Sequence, residues 1–162
     1  MATRRRAAYN PTRLAYWAIL TTYVLSFAFV GFVLEVRDGT IHSVQIAAMG
    51  WLGPIQLQFA WYANPFLIAG FVFVAQRKSR KAVFSAIAAA LLSLNTATLF
   101  WQGLLTNENG FFAKATSLGL GGYLWLAAIW AFLALAFLDQ RGMSPNSSMQ
   151  PTPTSGAADA GR

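Results

Sequence analysis

The chain has 162 residues, 56% of them hydrophobic and only 10% charged, where a soluble domain carries about 25% charged residues. The formal charge of +7 is gathered in short clusters between long apolar runs. That is a membrane pattern, and it argues against a nucleic-acid partner. The absence of cysteine excludes disulfides, thiolate metal sites, CxxC redox centres and covalent haem attachment. The single histidine, His42, excludes a bis-histidine haem within one chain.

Residues 1–13 read as a basic N-terminus carrying Arg4, Arg5, Arg6 and Arg13. The first apolar run, 14–34, contains no charge and has 21 residues. It is too long for the usual h-region of about 7–15 residues, and no A-x-A site follows it. It therefore predicts an uncleaved membrane helix, which needs about 20 residues. Segment 35–53 contains the turn signal Asp38-Gly39 and then a semi-apolar stretch with Trp51. Two readings stand for it: a short interfacial helix, or an extension of the second span broken before Pro54.

The second span is read at 55–75 and the third at 83–105, joined by the basic turn QRKSRK at 76–81. So short a turn makes the two helices antiparallel neighbours. Its Arg77, Lys78, Arg80 and Lys81 read first as an ordinary topology signal, and alternatively as contacts for anionic lipid head groups. A second loop at 106–117 has turn chemistry at Asn109-Gly110, and Phe111 and Phe112 are expected to dip into the interface. The fourth span is read at 120–138, and 139–162 as a disordered cytoplasmic tail rich in Ser, Pro, Thr, Gly and Ala.

The fold class that follows is all-α: a polytopic four-helix up-down membrane bundle occupying 14–138. Ten basic residues fall on the side of the termini, and two, Arg37 and Lys114, on the other. Positive-inside then places both termini in the cytoplasm.

Asn64-Pro65 lies inside the second span. At about 1.5 Å per residue, Asn64 and Asn95 are each roughly 14–15 Å from the outer edge. That is near the middle of a core about 30 Å thick. Thr22, Ser26 and Thr96 share that level, and Thr98 and Gln102 continue the stripe of Asn95. Pro65 is expected to kink the helix and free a carbonyl, with Asn64 placed to bond Asn95. In one reading the amides pin the two helices together. In the other the broken helix lines a solute site. Trp61, Tyr62, Trp101, Tyr123 and Trp125 fall in the outer halves of the helices. They form either an interfacial belt or an aromatic vestibule above the polar layer. Small-residue stripes, Ala15-Ala18-Thr22-Ser26 and Ala127-Ala131-Ala134, suit close helix packing.

QLQFAWYANP (56–65) and GGYLWLAA (121–128) resemble short motifs in a group of small bacterial inner-membrane proteins with four predicted helices. The matching positions are Ala60, Trp61, Ala63, Asn64 and Pro65, then Gly121, Tyr123, Leu124, Trp125, Leu126 and Ala127. The resemblance covers the four-helix body and not the tail. It implies fold and membrane location, and no activity.

No acidic residue falls within a predicted span, and no nucleophile-base pair or metal-ligand cluster is present. The sequence therefore predicts no catalytic residue, no cofactor and no metal. The expected role is a non-enzymatic membrane component or accessory subunit that contacts lipid and either a second copy or a protein partner. The alternative is a facilitator for a small neutral solute, using the Asn64/Asn95 layer. A third reading is an enzyme acting on lipid at the basic turn.

Overall fold

A computed structural model describes residues 11–35, 39–102, 104–105 and 112–142. The expectations for residues 1–10, Arg37, Asp38, Asn109-Gly110, Phe111 and the tail beyond residue 142 lie outside the described residues.

The described chain is mostly helical with a small three-stranded sheet. Four principal helices are α1 (Pro11–Ser26), α3 (Ala63–Ala75), α4 (Ser79–Leu94) and α6 (Leu120–Gly142). Two short helices, α2 (Ser43–Met49) and α5 (Leu99–Gln102), lie between them. α3 packs on α4, α4 on α6, and α6 on α1. The pairs are antiparallel: Ser85 of α4 reaches Phe66 of α3, while Tyr16 of α1 meets Phe132 of α6. One end of the bundle is therefore basic, with Arg13, Arg77, Lys78, Arg80, Lys81 and Arg141. The other end carries the sheet.

Among the described residues, two helices are long and apolar enough to cross a membrane: Ser79–Gln102, with 24 residues, and Leu120–Arg141, with 22. The other two expected spans are shorter as helices. α1 stops at Ser26 after 16 residues, and the rest of the first apolar run becomes strand β1 (Val30–Leu34). The reason is local. Ser26 Oγ donates to the Tyr23 carbonyl at 2.6 Å, and Phe27 and Ala28 turn back on Val24 and Leu25. The β-branched and aromatic sequence VGFVL then favours a strand. Hydropathy alone cannot separate these states in a continuous apolar run.

β1 is the central strand, antiparallel to β2 (Thr40–His42) and to β5 (Ala115–Leu118). Phe32 pairs with Ile41 on one side and Leu118 on the other. A separate two-stranded ladder joins β3 (Leu104–Leu105) to β4 (Phe112–Ala113). The third expected span thus ends in a 3-10 turn, a short helix and a strand.

The second expected span is also divided. A 3-10 helix covers Gly50–Gln56 and a 3-10 turn Ala60–Tyr62, and the α-helix proper begins at Ala63. Asn64 and Pro65 therefore stand in the first turn of α3, where a proline removes no helical hydrogen bond. The expected mid-helix kink is replaced by a helix start. Segment 43–52 forms a short helix, Ser43–Met49, that continues into a 3-10 helix running through Pro54 to Gln56. α6 continues past residue 138, the expected end of the fourth span, to Gly142.

The core sits midway along the bundle. Phe132, Leu67, Ile129, Ala63, Ala86 and Ala89 are fully enclosed. Small residues let the helices approach closely, which is how membrane helices gain packing energy when lipid removes the hydrophobic drive. At Gly70 a Cβ would stand 2.6 Å from the Phe132 ring, so only glycine admits that ring. Phe132 is also tilted against Phe71, with ring centroids 4.6 Å apart. Large apolar side chains are exposed around all four helices, among them Trp17, Val24, Ile68, Val72, Phe84, Leu91 and Leu138.

Candidate functional site at the sheet end

The sheet end holds a half-open cavity of about 590 Å³. α1 ends beneath it with Ser26, and β1 and β2 supply one wall with Gly31, Phe32 and Ile41. α2 and its 3-10 continuation form the roof, through Ile46, Met49, Leu52 and neighbouring residues. The floor holds Gln58, Asn64, Thr96 and Trp125. The lining is mainly apolar, and among the described residues it contains no Asp, Glu, Lys, Arg or His.

The roof is tied down by aromatic donors. Trp61 Nε1 donates to the Ala47 carbonyl at 2.9 Å, and Tyr62 Oη to the Trp51 carbonyl at 3.3 Å. The two rings meet edge to face at 5.4 Å. Beneath them, the start of α6 passes very close to the chain. A Cβ at Gly121 would collide with Ser43 Oγ and with the Ser26 and Phe29 carbonyls. The GGYLWLAA stretch begins with glycine for this reason.

Asn64 is a junction of three helices. Its Oδ1 accepts from Trp125 Nε1 of α6 at 2.7 Å and from Tyr23 Oη of α1 at 3.2 Å. Asn95 bonds elsewhere, its Oδ1 accepting the Phe59 backbone N–H at 2.6 Å, ahead of α3. The expected Asn64–Asn95 bond is thus replaced by separate bonds. The 3-10 stretch Asn95–Thr98 explains the change, since tightening the turn alters which side chains face α3.

Gln58 is 7% exposed. Its Nε2 donates to Thr98 Oγ1 at 2.6 Å and to Gln102 Oε1 at 3.2 Å. Thr98 in turn donates to the Asn95 carbonyl at 2.8 Å. Two buried atoms in the lining have no partner: Gln58 Oε1 and Thr96 Oγ1. Thr96 is 4% exposed. An unpaired buried polar atom is costly, and both of these belong to residues that line the cavity.

No family, curated protein or solved structure matches the chain.

The sequence-predicted residues therefore separate. Ser26, Asn64, Thr96, Trp61 and Trp125 line the cavity. Thr22 donates to the Ala18 carbonyl of its own helix at 3.0 Å and does not line it. Asn95 and Thr98 buttress the floor from outside. Tyr62 braces the roof, while Trp101 and Tyr123 are exposed, at 61% and 58%. Sequence reasoning assigns no role to Gln58, Tyr23 or Ser43. An amide inside an apolar run is the available signal for Gln58, and the Tyr23 phenol lies three residues before Ser26 on the same helical stripe.

Proposed function

We propose that the protein is a multi-pass bacterial inner-membrane protein that binds a small neutral molecule, mostly apolar and bearing one hydrogen-bond donor, in the sheet-end cavity. Four helices span or nearly span the bilayer, with the basic end in the cytoplasm. The exposed apolar side chains of α1, α3, α4 and α6 support the embedding, because soluble monomers rarely expose contiguous apolar surface of this kind. The positive-inside distribution supports the orientation.

The observation that carries the ligand reading is the pair of unpartnered atoms, Gln58 Oε1 and Thr96 Oγ1, in an uncharged and mainly apolar cavity. An apolar pocket with a few convergent polar groups is the usual form of a small-molecule site. Gln58 Oε1 can only accept a hydrogen bond, so the ligand supplies an O–H or N–H. Thr96 can accept from that group or donate to its oxygen. With no charged side chain in the lining, an ionised ligand would be left unpaired out of water.

The test uses the full chain in mild detergent and three ten-carbon probes. Labelled 1-decanol should bind saturably, decane should compete weakly, and decanoate should not compete. Decanoate competing as well as decanol would refute the reading.

A second reading, an oligomeric or accessory component, is favoured by the outward position of Ala127, Ala131 and Ala134 on α6. Small exposed stripes permit close approach of another helix. If this reading holds, Ala131→Leu converts an associated species to a smaller one in size-exclusion chromatography with light scattering.

A further inference from the structure

We infer that the groove between α1 and α3 at the basic end binds the phosphate head group of an anionic phospholipid. This rests on the membrane embedding proposed above, and not on the sheet-end cavity. The groove has a volume of about 720 Å³ and opens at the level of the basic turn. Arg13 of α1 and Arg77, just beyond α3, both line it. Guanidinium groups pair with phosphate oxygens through forked hydrogen bonds, which gives geometry as well as charge.

Arg77 is held in place by an unusual helix ending. Its φ is 57°, a left-handed conformation that normally falls to glycine. The Arg77 N–H donates to the Val74 carbonyl at 2.9 Å, and the Lys78 N–H to the Phe73 carbonyl at 2.8 Å. Those two bonds complete a Schellman ending and fix where the Arg77 side chain leaves the backbone.

The second observation is Tyr16. It is 8% exposed, lines the groove, and its hydroxyl has no hydrogen-bond partner. The hydroxyl is itself enclosed, so a phosphate or ester oxygen accepts from it only when the groove side chains part. Leu20, Phe71 and Val74 continue the groove as an apolar wall for an acyl chain, and Trp17 stands 66% exposed beside them. Tryptophan at this level is the usual interfacial anchor. Asp139 also lines the groove. Its carboxylate opposes a second negative charge, so the head group carries a single phosphate.

The test is competition between phosphatidylglycerol and phosphatidylcholine for the full chain in mild detergent, read by native mass spectrometry. Phosphatidylglycerol should be retained with a preference of roughly tenfold, the scale of a few basic contacts with an anionic lipid. Arg13→Gln with Arg77→Gln should abolish the preference, and Tyr16→Phe should reduce it. Lys78→Gln with Arg80→Gln removes equal charge outside the groove and should lower the preference by less than the arginine pair does. The inference is overturned if the arginine double variant keeps the preference, or if the lysine–arginine control loses it equally. Displacement of the lipid by equimolar glycerol 1-phosphate would assign the site to a free phosphate ester and overturn the lipid. A chain stripped from phosphatidylcholine vesicles by alkaline carbonate would refute the membrane embedding, and this site with it. A chain that stays in those vesicles but shows no anionic preference refutes the lipid site alone.

Discussion

The middle of the bundle and its sheet end are built from similarly apolar sequence and reach opposite outcomes. In the middle, Phe132, Leu67 and Ile129 fill the space between helices lined with alanine and glycine. At the sheet end three of the four principal helices stop short or begin late, at Ser26, Ala63 and Leu94. The chain between them folds into strands, short helices and turns, and leaves a half-open space. Continuous helices would have packed it shut. The middle is where the bundle gains its stability, and the sheet end is where it gives up close packing for a cavity.

That contrast is broken most severely in the middle. Phe132→Ala removes a fully buried ring that meets Tyr16, Phe71 and Gly70. A loss of about 3–5 kcal/mol is expected, read by equilibrium unfolding in detergent. Gly121→Val attacks the junction between the two regions. Its side chain would run into Ser43 and two backbone carbonyls, so a loss of about 1–3 kcal/mol is expected. Part of that strain moves the roof helix α2, and decanol binding should weaken along with stability.

Asn64→Ala leaves the Trp125 and Tyr23 donors without their acceptor. The expected loss is about 1–3 kcal/mol. Near-UV circular dichroism should report the freed tryptophan. Thr96→Val is the smallest perturbation. Its buried hydroxyl has no partner to lose, so stability should equal the parent's or exceed it by up to about 1 kcal/mol.

The two regions are also unequally legible in the sequence. Long charge-free runs and clustered arginines reveal the helical body, because burial or lipid contact on all sides demands unbroken apolarity. The same property hides the sheet end. VGFVL extends the first run in hydropathy while its β-branched residues, and the turn after Ser26, end the helix. Depth counted from Ile55 makes Asn-Pro a mid-helix kink. With the α-helix starting at Ala63, the same pair is an ordinary helix opening. Asn64 and Trp125 stand out as polar and aromatic exceptions, and both do line the cavity. Their mutual bond is not legible, since helix rotation and the 3-10 turn at Asn95 depend on tertiary packing. Gln58 is hidden for a similar reason: its burial arises from the fold-back of 50–56, which no local periodicity encodes.

The central claim is that the unpartnered polar atoms of the sheet-end cavity serve an occupant rather than the fold. The most direct measurement takes Thr96→Val and its parent side by side, recording unfolding stability without ligand and affinity for labelled 1-decanol. The account predicts stability equal to the parent's or up to about 1 kcal/mol above it, and an affinity reduced by roughly three- to tenfold, the worth of one hydrogen bond. Lost stability with undiminished binding would contradict it.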